Sequence, residues 1–124
     1  TEAMLNIDAV IDFKDITKKF HNEIKKFSPF GPGNEKPLFC TKNVYDFGTS
    51  KVVGRAQEHI KLEFVDSKSS NVMNGIAFGQ SESARYIKSK HSFDIAYTIE
   101  DNIFKRGAVQ LQIEDIRPTE NVEN

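Results

Sequence analysis

The stretch FDIAYTIEDNIFKRGAVQLQIEDIRP, residues 93–118, contains two alternating segments joined by a short turn. Apolar side chains occupy every second position from Phe93 to Ile99, and again from Val109 to Ile113. A period of two residues is typical of a strand that has one face in the core and the other in solvent. The polar turn NIFKRG lies between the two segments. The stretch therefore predicts two strands joined as an antiparallel hairpin.

Three further strands are predicted before this hairpin. The first is LFCTKNVYDFG from Leu38, followed by VVG, which is expected to lead into a loop. The second is HIKLEFVD, and the third is VMNGIAFG, whose Val72, Ile76 and Phe78 are expected to share the core side. The segment SESARYIKSK then breaks the two-residue period and predicts a short helix capped by Ser81. Five short strands with a helix between the third and fourth are the order of an OB-fold, a small, partly open barrel.

The residues before the barrel predict a strand–helix extension. Alternation from Leu5 to Phe13 predicts a strand, and the spacing of Ile16, Phe20, Ile24 and Phe27 predicts a helix of about three turns with Asp15 as its cap. That helix should end by Ser28, because proline disfavours helical angles in the residue before it. The predicted fold class is mainly β with short helices (α+β): a five-stranded OB-fold barrel with an N-terminal strand–helix extension.

Composition describes an ordinary globular chain. The 124 residues carry a net charge of −1 and are 38% hydrophobic, so any surface that attracts anions must be local. No apolar run reaches the roughly 18 residues of a transmembrane helix, and we expect no membrane association. The single cysteine, Cys40, cannot form an internal disulfide, which suits a reducing compartment.

The sequence predicts no active site. Its three histidines are isolated, there is no HExxH or CxxC motif, and GPGN lacks the lysine and serine that end a phosphate-binding P-loop. We therefore expect no catalytic residue and no metal site in these 124 residues.

A binding surface is the alternative to an active site, because OB barrels bind single strands with aromatic platforms and scattered cations. The candidates are the cations Lys51, Arg55, Lys61, Lys105 and Arg106, the stacking residue Phe104, and the hydrogen-bonding residues His59, Gln110 and Gln112. Alternation assigns four other aromatic residues to the core: Phe64, Phe78, Phe93 and Tyr97. A plain solvent-exposed surface remains the alternative for each charged or amide side chain.

Three motifs resemble a known family. FSPFGPGNEKPLF, then GIAFG, then the stretch quoted first, resemble in order the C-terminal part of RecJ, the bacterial single-stranded-DNA-specific exonuclease family. The matching positions are Pro29, Phe30, Gly31, Gly33, Asn34, Pro37 and Phe39, then 75–79, then Gln110, Leu111 and 115–118. The resemblance covers essentially residues 5–118.

The resemblance implies a fragment of a larger enzyme. Residues 1–27 would be the end of the preceding DHH-associated domain, 28–37 a rigid junction, 38–118 the OB-fold and 119–124 a polar tail. The junction residues would be Phe30, Gly31, Gly33 and Asn34, where proline and glycine fix special backbone angles. The metal-binding DHH motifs would lie upstream, so that no cofactor is expected in this chain and Mg²⁺ or Mn²⁺ would serve the parent.

The implied function is to grip single-stranded DNA and orient it for a 5′→3′ exonuclease core in the bacterial cytoplasm. Expected partners are single-stranded DNA, the catalytic domains of the parent chain and a single-strand-binding protein. The alternative is a protein-interaction module that docks the catalytic core or the single-strand-binding protein, with the edge of the predicted strand 5–13 available for pairing. A free-standing enzyme is the third hypothesis, disfavoured by the missing metal ligands.

Overall fold

The computed structural model of the chain describes residues 5–120. Its strands are β1 Ala9–Val10, β2 Phe39–Asp46, β3 Lys51–Val53, β4 His59–Asp66, β5 Met73–Ala77, β6 Phe93–Asp101 and β7 Val109–Pro118. Its helices are α1 Lys18–Lys25 and α2 Ala84–Ile87, which follow single 3-10 turns at Phe13–Asp15 and Ser81–Ser83.

Five of the strands close into a barrel. β2 pairs antiparallel with both β4 and β6, which joins the two ends of the sheet. β4 pairs antiparallel with β5, β5 parallel with β7, and β7 antiparallel with β6. Since α2 lies between the third and fourth barrel strands, this is the predicted OB-fold. β1 and β3 are added at the outer edges of β2 and β4, and β3 occupies the segment that was predicted to lead into a loop.

The barrel interior follows the alternation of the sequence in β4, β6 and β7, whereas in β2 the register shifts between Thr41 and Val44. The inward side chains are buried, and they are Phe39 and Val44 of β2, Ile60, Leu62 and Phe64 of β4, Phe93, Ile95, Tyr97 and Ile99 of β6, and Leu111 and Ile113 of β7. The assignment of Phe64, Phe93 and Tyr97 to the core is confirmed.

β5 has the opposite orientation to the one predicted. Its inward residues are Gly75 and Ala77, whereas Phe78 is 56% exposed and Val72 36% exposed. A Cβ atom on Gly75 would lie 3.1 Å from the Leu111 carbonyl oxygen and 3.1 Å from the Phe64 ring. The barrel is therefore too narrow here for a larger side chain, and the bulky residues of this strand face outward. The assignment of Phe78 to the core was wrong.

The N-terminal extension, residues 5–27, is packed against the barrel, but its predicted strand is short. Only Ala9 and Val10 pair, in parallel, with Phe39 and Cys40 of β2. The strand ends where the 3-10 turn begins: the Asp12 N–H donates to the Asp15 carboxylate at 3.0 Å, and the Asp15 N–H donates to the Asp12 carbonyl oxygen at 3.0 Å. The predicted strand over residues 5–13 was therefore too long, and one edge of this segment is occupied by β2.

The two helices are also shorter than predicted and begin differently. Thr17, not Asp15, caps α1, since its hydroxyl oxygen accepts a hydrogen bond from the Phe20 N–H. The helix ends at Lys25, and Phe27 is 69% exposed instead of lying on the buried face. Ser81 belongs to the 3-10 turn, and α2 has no side-chain cap.

Three contacts make the extension part of the barrel. Phe13 is buried, and its ring packs edge-on against Phe64 with the centroids 5.2 Å apart. Its backbone N–H donates to the buried Asp66 carboxylate at 2.8 Å. The Thr41 hydroxyl donates to the Ile11 carbonyl oxygen at 2.9 Å. The core of the barrel thus includes residues that lie before α1 in the sequence.

Candidate nucleic-acid interface

A row of neighbouring side chains crosses the outside of the barrel. The strand registers pair Lys51 with Lys61, Lys61 with Ile76, Ile76 with Gln112, and Gln112 with Thr98. Paired residues in a sheet lie on the same face. The neighbours of Lys61 along β4 are buried, so the row is directed outward. We call the outward side chains of β3, β4, β5, β7 and β6 along this row, together with Phe78 directly after β5, the outer face.

Two lysines meet at one end of this row without a compensating carboxylate. Lys51 and Lys61 are directly opposite each other on antiparallel strands, where Cβ atoms lie about 5 Å apart. Both are exposed, and neither forms an ion pair with any carboxylate in residues 5–120. Like charges in this position are destabilising. A phosphate placed between them would remove that repulsion.

The outer face is not uniformly positive. Glu63 is two residues beyond Lys61 on the same strand, and Glu114 is two residues beyond Gln112. The Gln112 amide lies 3.5 Å from the Glu114 carboxylate. Attraction for a polyanion is therefore local, at the β3–β4 edge and at the loops that carry cations without an ion pair among the described residues.

The loop after β3 contributes Arg55, which is exposed and also lacks an ion-pair partner in the described part of the chain. His59, at the start of β4, is held at both ring nitrogens. Its Nδ1 accepts a hydrogen bond from the Gly79 N–H at 2.8 Å, and its Nε2 lies 3.3 Å from Glu58 Oε1. The Phe78 ring packs edge-on against His59, with the centroids 5.2 Å apart.

The hairpin loop, residues 102–108, presents its side chains to solvent while its backbone is fixed. The Asn102 carboxamide oxygen accepts hydrogen bonds from the N–H groups of Phe104 and Lys105, at 2.9 and 3.2 Å. Phe104 is 89% exposed and Ile103 is 82% exposed. Lys105 and Arg106 are exposed and form no ion pair with a described residue. This is the environment expected for a stacking residue beside phosphate-binding cations.

The glutamines lie between these two groups. Gln110 and Gln112 are half-buried on β7, where they pair with Glu100 and Thr98 of β6. Sequence analysis missed Ile76, Thr98 and Phe78 as members of the same face. The strand registers identify Ile76 and Thr98, and exposure identifies Phe78, which directly follows β5. Alternation alone could not assign Ile76 and Phe78, because it does not say which side of β5 faces the core.

The junction, residues 28–37, is stabilised by its own hydrogen bonds. Gly31 and Asn34 exchange two backbone hydrogen bonds of 2.9 Å across Pro32 and Gly33, and Gly33 has a φ of +81°. A proline followed by a glycine with positive φ suits such a tight turn. The Asn34 amide nitrogen donates to the carbonyl oxygens of Phe27 and Pro29, at 2.8 Å each.

A cavity of about 330 Å³ separates the junction from the barrel. It is lined by Phe30 of the junction, by Ile24 and His21 of α1, and by Ile99 near the end of β6. His21 Nε2 and Lys25 Nζ approach the same carboxylate oxygen of Asp101, at 3.1 and 2.7 Å. Lys36 forms an ion pair with Glu100. Lys25 and Lys36, the two cations that border this cavity, are thus used in structural ion pairs.

Cys40 and Tyr97 have raised pKa values because burial disfavours their charged forms. The Tyr97 hydroxyl lies 2.7 Å from the Thr41 hydroxyl in the interior. For Cys40, the nearby Asp94 carboxylate adds to the effect of burial. A raised thiol pKa leaves little thiolate at neutral pH, so Cys40 is a weak nucleophile.

The residues described here do not form a metal site. Among residues 5–120, no three histidine, cysteine, aspartate or glutamate side chains come together in a group that could hold an ion. The Mg²⁺ or Mn²⁺ implied for the parent enzyme therefore does not fit this part of the chain. No helix within the same residues is long and apolar enough to cross a membrane.

Comparison with known proteins agrees with the barrel and with the motifs. A search of curated proteins gives no match. The family model for the RecJ OB domain matches residues 7–115 of the 124. The match begins before β1 and therefore includes the N-terminal extension; the assignment of residues 1–27 to a preceding domain stays a prediction. The chain belongs to the RecJ OB domain family and is an OB-fold module of RecJ-like proteins.

Proposed function

We propose that this chain binds single-stranded DNA on the outer face and the hairpin loop, and that it orients the strand for the catalytic domains of a RecJ-like 5′→3′ exonuclease. The observation that carries the proposal is the Lys51–Lys61 pair. These side chains face each other across β3 and β4 without a described carboxylate partner. A phosphate that binds between the two ammonium groups replaces their repulsion with two charge-assisted hydrogen bonds, and this difference favours binding.

Single strands fit this surface better than duplexes. Phe78 and Phe104 expose ring surface to solvent. Bases of a single strand can stack on such rings, whereas the bases of a duplex are already stacked on each other. The carboxylates Glu63 and Glu114 limit the number of phosphate contacts, so we expect modest affinity and a short contact length.

The test is fluorescence anisotropy of a labelled single-stranded DNA of roughly 15 nucleotides, within the range that OB-folds occupy. The double variant Lys51→Glu and Lys61→Glu should lose about ten-fold or more in affinity at low salt. Replacing the same residues with glutamine should make the slope of log K against log salt less negative by about 1.4, because each lost phosphate contact contributes about 0.7. Duplex DNA should compete poorly.

The matched control is Lys18→Glu with Lys19→Glu. Both lysines are exposed on α1, and neither forms an ion pair with a described residue. The control makes the same change in net charge at a different place. Equal losses in the two double variants would mean that net charge, and not this site, determines binding. No binding by the folded wild-type chain at low salt would refute the proposal.

The orienting role has a separate test in the parent exonuclease. Asn34→Ala removes two side-chain hydrogen bonds, one that joins the junction to Phe27 and one within the junction to Pro29. We expect shorter runs of degradation per binding event, with unchanged affinity of the isolated chain for single-stranded DNA. Unchanged run length would show that the junction does not need this fixed geometry.

A second candidate function is docking of the catalytic domains or of a single-strand-binding protein. The observation that favours it is the exposure of three apolar side chains in the N-terminal segment: Val10 is 60% exposed, Leu5 39% and Ile7 38%. Removal of residues 1–14 would also delete the core residue Phe13, so Val10→Lys is the better variant. It should weaken association with separately prepared catalytic domains and leave DNA binding unchanged.

A further inference from the structure

We infer that Phe78 and Phe104 are two stacking sites at opposite ends of the interface, so that a single strand binds tightly only when it is long enough to reach both. This inference rests on the proposed function and adds the position of the second site and a length requirement. The sequence analysis assigned Phe78 to the core, whereas the structure shows it at the surface.

The first step is that Phe78 is both exposed and held in place. It is 56% exposed, and its ring is supported edge-on by His59. His59 is itself fixed by the hydrogen bond from Gly79 and by Glu58. A ring fixed in advance loses little conformational freedom when a base stacks on it. His59 is a positioning residue in this arrangement.

The second step is that the Phe104 ring is also exposed to solvent, on a loop with a fixed backbone. The carboxamide of Asn102 organises the backbone of the hairpin loop, and the Asn102 N–H donates to the Ala108 carbonyl oxygen at 2.9 Å. The loop is therefore ordered without burying Ile103 or Phe104. Such a turn exposes large apolar side chains that no described residue covers.

The third step is the distance between the two sites. β5 runs parallel to β7, and Ile76 lies beside Gln112. Phe78 is two residues beyond Ile76, whereas the hairpin loop precedes Val109, three residues before Gln112. Phe78 is thus five residue steps along the strands, or about 17 Å, from Val109, where the hairpin loop that carries Phe104 meets β7. A stacked strand covers about 3.4 Å per nucleotide, so about five nucleotides are needed to reach from Phe78 to this loop.

The chemistry between the two rings suits a continuous strand. Gln110 and Gln112 lie along β7 between the two ends, and Lys61 is across β5 from Gln112. The amides can hydrogen-bond to bases or sugars, and the lysine can contact a phosphate. A short oligonucleotide can occupy either end alone, but only a longer one engages both rings at once.

The experiment measures affinities of the complete chain for oligothymidylates of 4 and 12 nucleotides. With the 12-mer, Phe78→Ala and Phe104→Ala should each lose about ten-fold, and the double variant about a hundred-fold, the range expected for one and two stacked bases. With the 4-mer, each single variant should lose no more than about two-fold, because the other ring remains available.

The controls separate ring stacking from general effects. Phe78→Leu keeps an apolar side chain and removes the ring, and it should behave like Phe78→Ala. Phe27→Ala removes another exposed phenylalanine, 69% exposed after α1, and should leave both affinities unchanged. Equal losses by Phe78→Ala at both lengths, or none at either, would overturn this inference while leaving the proposed function intact. Absence of wild-type binding at both lengths would overturn both.

Discussion

On the N-terminal side of the barrel, Lys25 and Lys36 each meet a carboxylate, and Phe13 and Phe39 are buried. On the outer face, Lys51 meets another lysine, and large aromatic rings are exposed. The two sides use the same residue types. At Lys25, Lys36, Phe13 and Phe39 the charges and rings are satisfied within the protein and stabilise the fold, whereas at Lys51, Lys61 and Phe78 they remain available for a ligand.

This difference gives a physical criterion that composition cannot provide. The net charge of −1 conceals a local group of cations without carboxylate partners in the described chain. Whether a lysine is available depends on its neighbour across the sheet, and that neighbour is set by the register. Stability and binding should accordingly respond to substitutions on different sides of the molecule.

The largest expected effect is on the free energy of unfolding when Phe13 is truncated. Phe13→Ala should lower it by about 3–5 kcal/mol, because a buried ring is lost and a cavity remains. Phe78→Ala should change it by less than about 0.5 kcal/mol, since that ring is mostly exposed. Urea unfolding of both variants checks the comparison. Similar values for the two would show that the extension does not contribute to the core.

Much of the barrel could be predicted from alternation alone. β4, β6 and β7 place apolar side chains at every second position over at least five residues, so their inward faces follow directly. β5 could not be assigned in this way. Its inward positions are occupied by Gly75 and Ala77, because β7 is too close to Gly75 for a larger side chain, and its larger residues face outward.

The candidate site could be predicted only in part. Charge and position in a predicted turn identified Phe104, Lys105 and Arg106, and the structure gives each an exposed position. The direct opposition of Lys51 and Lys61 depends on the pairing of β3, a strand whose three residues give no periodic signal. Long-range register is set by the closure of the barrel and not by local sequence.

A smaller loss of stability is expected when β5 is made to resemble its neighbours. Gly75→Ala places a Cβ atom 3.1 Å from both the Leu111 carbonyl oxygen and the Phe64 ring. Overpacking of this kind should lower the free energy of unfolding by about 1–3 kcal/mol. Gly31→Ala is the matched control, since no atom lies within 4 Å of its added Cβ. Thermal unfolding distinguishes them, and equal midpoints would contradict the narrow barrel inferred at β5.

The hydrogen bond between the Tyr97 and Thr41 hydroxyls should contribute less to the free energy of unfolding than the packing at Gly75 does. Tyr97→Phe removes the hydroxyl that lies 2.7 Å from the Thr41 hydroxyl, and Thr41 still donates to the Ile11 carbonyl oxygen. The free energy of unfolding should fall by about 0.5–1.5 kcal/mol. Thr41→Val should lose more, because it removes the contact with the extension as well. A larger loss of stability for Tyr97→Phe than for Thr41→Val would show that the Thr41 contact with Ile11 does not contribute to the free energy of unfolding.

The smallest effect is expected from Asp101, whose carboxylate joins α1 to the end of β6. Hydrogen bonds from Lys25 and His21 lower the pKa of Asp101 below its ordinary value. A lowered pKa in the folded state means that this stabilisation is complete above the pKa of Asp101 in the unfolded chain and is lost as the pH falls through its pKa in the folded state.

Because the Asp101 side chain is 64% exposed, solvent screening limits its contribution to the free energy of unfolding to a few tenths of a kcal/mol. Asp101→Asn should therefore lower the unfolding midpoint slightly at pH 7, and by less as the pH falls below the ordinary pKa of aspartate. Glu82→Gln, which changes an exposed carboxylate that has no ion pair in the described chain, should leave the midpoint unchanged across the same pH range. A loss for Asp101→Asn that is equally large at every pH would assign the effect to packing of α1 rather than to its charge.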